Sequence, residues 1–251
     1  MNDPQTALES SVARLRRIVE ALDENQYAAR AYPTEWTVAD VMSHIGSGAV
    51  IMKRGIEASA GGTSVPDGFN QSVWDVWNAK APGEQVADAL AADQALLDTI
   101  SGLTPDQRST VRLDIGPMSL DLDGFVSLRL GEHALHTWDI EVAIDPTATV
   151  PGESAGIVAA NLPMLSGFAG KPDGVERSLS VQTSDPALGF VLTTSAERVA
   201  LEPAGGAAKA DLTIPTEALV RLVSGRLDPD HTPAGVDELV VAPLRAVFPG
   251  F

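Results

Sequence analysis

Apolar residues recur at spacings of three and four through the first half of the chain. In residues 5–22 they fall at Leu8, Val12, Leu15, Val19 and Leu22, one stripe of an amphipathic helix. A second helix is predicted from near Thr37. Thr37 is its N-cap, with Asp40 three residues on, a capping box in which Asp replaces the preferred Glu. Its stripe runs Val41, His44 or Ile45, Gly48 and Met52. Pro82, Gly83 and Glu84 mark the start of a third helix, followed by Val86, Leu90, Leu97 and Ile100. A fourth covers about 122–144, through Phe125, Leu128, Glu132, Leu135, His136 and Ala143. Four long amphipathic helices predict a bundle. The Gly/Ser-rich stretch 59–70 reads as a long connection between the second and third helices, of the kind that often carries function.

The pattern then changes. Residues 145–151 carry two prolines and break the helical period, which predicts a linker. Beyond it, residues 178–184 and 189–195 alternate apolar and polar positions, as half-buried strands do. Further strands are predicted at 197–202 and 210–214, and a helix over 216–224 after Pro215. A helix is also predicted at 153–168, which Pro163 either kinks or breaks. The chain thus reads as a mixed α + α/β protein. A four-helix bundle occupies residues 1–146, and a small α+β domain occupies 151–251.

Composition narrows the function classes. Of 251 residues 44% are hydrophobic, enough for a proper core. The net charge is −17 and the pI about 4.4. Nucleic acid and anionic membrane surfaces are therefore disfavoured as partners, since both need a basic face. The chain has no cysteine, so disulfides, thiolate metal sites and a cysteine nucleophile are excluded. Any sulfur chemistry must use sulfur from a ligand. No apolar run approaches the roughly 20 residues of a membrane span. The start MNDPQTALESS lacks the basic and apolar regions of a signal peptide, so a cytoplasmic protein is expected.

Two of the four histidines, His44 and His136, fall on apolar helical stripes. Glu132 and His136 are four apart and share a helix face with Phe125 and Leu128, expected to point inward. A bare carboxylate on a buried face costs several kcal/mol unless it is paired or bound to a metal. His44 lies on the inward stripe of the second helix. Two imidazoles and a carboxylate converging across a bundle leave one coordination position open, a set that suits catalytic Zn²⁺. The same set accepts iron, nickel or manganese. Taken alone, E-x-x-x-H is a weak motif that also occurs as a surface pair, and a lone core histidine is usually just hydrogen-bonded.

Two longer stretches carry a resemblance. Residues 36–44, WTVADVMSH, and 131–140, GEHALHTWDI, resemble the two signatures of the mycothiol-dependent maleylpyruvate isomerase family of actinobacteria, which are DinB-like metal-binding bundles. The second half resembles that family's sterol-carrier-like domain, including Leu222 to Arg226 and the ending Val247 to Phe251. The resemblance implies metal ligands at His44, Glu132 and His136, zinc as the metal, and mycothiol as a low-molecular-weight thiol cosubstrate. It also implies an activity. A metal-activated thiolate adds to maleylpyruvate, the bond rotates, and the thiol leaves; other members resemble S-transferases. An arginine of the second domain is implied as a holder of substrate carboxylates. Arg226 is the candidate, with Arg221 and Arg245 as rivals.

Around these, Asp40 and Asp139 are candidate orienters of His44 and His136. Trp36 and Trp138 are expected in core packing. His133 points about 100° away from Glu132 and is expected outside the ligand set. The family's isomerases also imply an arginine between the signature helices, but residues 70–80 contain none. Asn70, Trp74 and Trp77 are therefore candidate binding and specificity residues for a larger or more apolar electrophile. Two other functions stay open: a metal-dependent hydrolase or lyase using metal-bound water, and a non-catalytic ligand-binding protein. A monomer and a homodimer are equally compatible with the sequence.

Overall fold

The computed structural model describes residues 3–115, 118–206 and 209–250. Phe251, the last residue of the C-terminal motif, lies outside them. The chain divides into two compact units, Asp3–Ala148 and the stretch from Thr149 onward.

The first unit is built on α1 (Pro4–Glu20), a short α2 (Glu24–Tyr27), α3 (Val38–Ala60), α4 (Phe69–Asn78), α5 (Pro82–Ser101), a short α6 (Pro105–Thr110), the hairpin β1 (Arg112–Ile115) and β2 (Met118–Asp121), and α7 (Leu122–Glu141). The four long helices are those the periodicity predicts. Thr37 caps α3 as expected: its hydroxyl accepts from the Asp40 N–H, and the Asp40 carboxylate accepts from the Thr37 N–H at 2.8 Å. Asp40 is thus engaged in the cap.

The connection predicted over 59–70 is shorter, because α3 runs to Ala60 and α4 begins at Phe69. α4 is a helix the sequence reading treats as pocket-lining chain. Phe69, Val73 and Trp77, four apart, turn toward the core. Trp77 is only 6% exposed and lies against Gly46 of α3, where a Cβ would sit 2.3 Å from the indole. The same Cβ would be 2.8 Å from the Ala89 backbone of α5, so this glycine lets the two helices and the indole close up. Trp77 is therefore a core residue, which corrects its reading as a specificity residue; Asn70 and Trp74 are exposed.

Two apolar clusters fill the bundle. One holds Leu15, Val19, Val41, Met42, Ile45, Val86, Leu90 and Ile140. The other holds Leu8, Val12, Ala49, Ile56, Leu96, Ile100, Phe125 and Val126. Between them in each helix lies a buried polar residue: Ser11, Ser47, Asp93, and Arg129 with His133. Truncating one of the large core residues to Ala costs about 2–5 kcal/mol.

The second unit comprises α8 (Gly152–Ala159), α9 (Leu162–Ala169), β3 (Arg177–Ser184), β4 (Gly189–Thr194), β5 (Val199–Pro203), β6 (Leu212–Pro215), α10 (Thr216–Val223) and α11 (Glu238–Val247). The helix predicted over 153–168 is broken rather than kinked. Pro163 falls in the first turn of α9, where its missing N–H costs nothing. The sheet order is β5-β4-β3-β6, with β6 parallel to β3 and the other pairs antiparallel. One face buries Val181, Leu192, Leu201 and Ile214. α9 is tied to the sheet by the Ser166 hydroxyl, which accepts from the Leu201 N–H at 3.0 Å. The two C-terminal motifs meet at Gly225, where a Cβ would lie 2.3 Å from the Gly250 backbone and φ is +70°. Only glycine fits there.

Candidate metal centre

α3 and α7 carry the candidate ligands. Among the described residues, His44, Glu132 and His136 form a cluster whose ligand atoms all lie within 4.8 Å of one another. His44 Nε2 is 3.3 Å from Glu132 Oε2, and His136 Nε2 is 3.7 Å from the same oxygen. Two atoms each about 2.1 Å from a tetrahedral zinc lie roughly 3–4 Å apart, so the spacing fits one ion.

The surroundings favour that use. Asp139, fully buried, takes the Nδ1–H of His136 at 2.8 Å and leaves Nε2 facing the cluster. Trp36 packs against both imidazoles, stacked on His136 at 19° with ring centroids 5.8 Å apart and tilted on His44 at 5.3 Å. It therefore walls the centre as well as packing on the core, beyond the role expected of it. Trp138 behaves as expected: it is buried and donates Nε1–H to the Ala148 carbonyl at 2.8 Å.

One expectation is corrected. Glu132 does not point into the core; its side chain is 59% exposed, at the edge of the bundle. α7 is buried on almost every side, so its apolar residues define no single inward face. The crowding of protein around the Glu132 carboxyl would raise its pKa. The His44 hydrogen bond and the charges of His136, His44 and Arg129 outweigh that and hold it down to about 2. The carboxyl is thus ionised at neutral pH and ready as a ligand.

The inward residue is the neighbour, His133, which is fully buried. Its Nδ1 bonds the Ser11 hydroxyl at 2.8 Å and its Nε2 bonds Asp93 Oδ2 at 3.2 Å. Asp93 also accepts from Arg129 Nη2 at 2.8 Å, and that nitrogen reaches the Ile45 carbonyl at 2.9 Å. Burial would raise the Asp93 pKa, but His133 and Arg129 pull it below the ordinary value. This network was missed in the sequence. The available signal was charge inside apolar runs: Arg129 between Leu128 and Leu130, and Asp93 in an Ala/Leu-rich helix.

In the second unit, Arg221 is buried and pairs with both carboxylate oxygens of Glu217 at 2.8 Å. Arg245 pairs with Glu238. Arg226 donates to the Ser224 carbonyl at 3.0 Å.

The family described as "Mycothiol maleylpyruvate isomerase N-terminal domain" matches residues 8–141, more than half of the chain. The chain belongs to that family. Both family signatures noted above, and all three candidate ligands, fall within the matched stretch. Two solved structures share the fold over both units: a mycothiol-dependent maleylpyruvate isomerase and its single-histidine mutant. Each has a TM-score of 0.65 at 13% identity, covering 89% of this chain and 88% of the other. Among curated proteins, none matches the sequence significantly. No helix among the described residues is long and apolar enough to cross a membrane.

Proposed function

We propose that this member of the family is a metal-dependent enzyme that uses mycothiol as cosubstrate and adds its thiolate to a small electrophile. The reaction is either cis–trans isomerisation, as of maleylpyruvate, or S-transfer. The observation that carries this reading is the convergence of His44, Glu132 and His136 on one point with an open, half-exposed side. Zinc held there supplies the positive charge that makes a thiol ionise at neutral pH. The chain's own residues do the rest. His44 and His136 present Nε2, and Glu132 presents Oε2. Asp139 keeps the His136 proton on Nδ1. Trp36 packs against both imidazoles and limits their orientation. The absence of cysteine from the chain leaves the nucleophilic sulfur to the cosubstrate.

In the isomerase branch, the sulfur forms a C–S bond to one alkene carbon and the π pair moves onto the conjugated carbonyl. Rotation about the resulting single bond follows, and the pair returns as the sulfur leaves. No atom is gained or lost. In the transferase branch the C–S bond persists and the carbanion takes a proton. We assign Arg226 to a substrate carboxylate, the role that the resemblance implies for an arginine of the second domain, since a planar guanidinium can hold a carboxylate through two N–H groups. Asn70 and Trp74 are assigned to electrophile selection. We place the enzyme in the cytoplasm, where low-molecular-weight thiols are kept reduced.

Calorimetric titration of mycothiol into zinc-loaded protein, with His136→Ala alongside, tests this. The expected result is zinc-dependent binding that the variant loses. Stoichiometric zinc without mycothiol binding overturns the thiol reading and leaves a hydrolase that activates water at the same centre.

A further inference from the structure

Arg129 belongs to the buried network, yet its guanidinium is only partly engaged. Nη2 donates to Asp93 at 2.8 Å and to the Ile45 carbonyl at 2.9 Å. Nε is buried without a hydrogen-bond partner. Nη1 has no hydrogen-bond partner among the described residues either, but it is not sealed from solvent. A buried guanidinium with an edge left open is costly unless something completes it.

The open edge faces a gap. Gly48 is half-buried, and a Cβ built there would meet only Arg129 Nη1, at 3.0 Å. Gly48 is one turn beyond His44 on the same stripe of α3. A helical side chain leans toward the N-terminus, so the missing side chain at Gly48 leaves its space on the His44 side. Arg129 is itself one turn before Glu132 on α7. Its Nη2 is anchored to the carbonyl of the residue after His44.

We propose that Arg129 is an anion-binding residue of this centre, taking a carboxylate of the electrophilic substrate on Nη1 in the gap left by Gly48. The inference rests on the proposed function for the identity of the anion. Asp93 and Ile45 hold the guanidinium in one orientation, so little side-chain freedom is lost when the anion arrives.

Maleate, a small cis-dicarboxylate, is the probe, with its uncharged diamide as control. Both are titrated calorimetrically into metal-free and zinc-loaded protein, for the native chain and for Gly48→Val, which fills the space beside Arg129 Nη1 and keeps the arginine in the chain. Gly48→Ala is the milder variant, kept in case the valine does not fold. Zinc affinity is measured in parallel. The expected result is maleate binding weakened about tenfold or more by Gly48→Val, and less by Gly48→Ala, with zinc affinity unchanged and no diamide binding. Equal maleate binding in the native protein and the variants overturns the proposal, as does the absence of maleate binding in both metal states. If zinc fails to bind, the proposed function fails, and the metal-free titration still decides the role of Arg129.

Discussion

His133 and Glu132 are neighbours on one helix, yet they serve two clusters of nearly identical chemistry. Around His133, Asp93, Arg129 and Ser11 the bonds close on one another in the dry interior between two apolar clusters. Around Glu132, two imidazole nitrogens and a carboxylate oxygen converge at the solvent edge, and the ordering contact comes from behind, through Asp139. The inner set braces four helices in register and leaves only one edge of the Arg129 guanidinium open. The outer set brings two imidazole nitrogens and a carboxylate oxygen to a common point where one cation could be held. Residue type does not separate a brace from a metal centre; burial and the direction of the lone pairs do.

The sharpest way to break the comparison is Asp93→Ala. It strands the Arg129 charge in the interior and is expected to cost about 3–5 kcal/mol of folding stability, read by urea unfolding of the metal-free protein. His136→Ala acts mainly on the metal. Metal-free stability falls by about 1–3 kcal/mol, because the buried Asp139 carboxylate loses a hydrogen-bond partner, and the stabilisation by zinc, about 2.7 kcal/mol at a hundredfold excess over the dissociation constant, disappears. Asp139→Asn is intermediate: it alters the hydrogen bond that orients His136, and zinc affinity should fall about 10–100-fold in a competition titration.

Acid separates the clusters by another route. The Asp93 pKa is lowered in the folded state, so the stability it contributes is present above the ordinary carboxylate value and is lost as pH falls through the folded value. Glu132, lowered from 4.5 to about 2, behaves in the same sense in the metal-free protein, between those two values. Unfolding free energy measured from pH 6 to pH 2 should decline over this window, and Asp93→Asn should flatten the decline. The smallest effect is at a distance from both clusters: Thr37→Ala removes the α3 cap at about 1 kcal/mol and leaves Asp93 pairing untouched.

The sequence by itself determined what depends on neighbours a few residues away. The four long helices follow from a 3.6-residue period that needs no partner to be visible, and the Thr37–Asp40 box is a contact across three residues. The pairing of Glu132 with His136 on one face is likewise a local property of a helix. α4 was legible in principle, since Phe69, Val73 and Trp77 share a face, but a Gly/Ser-rich approach hid it. Only the tertiary structure decided the rest. Arg129 meets partners 36 and 84 residues away, and His133 meets Ser11 across 122. Which of two adjacent residues on α7 faces the core cannot be read from a helix buried nearly all round, because its stripe carries no direction. That direction comes from α1, α3 and α5 packing around it. The same packing sends Glu132 to the open edge and His133 to the interior.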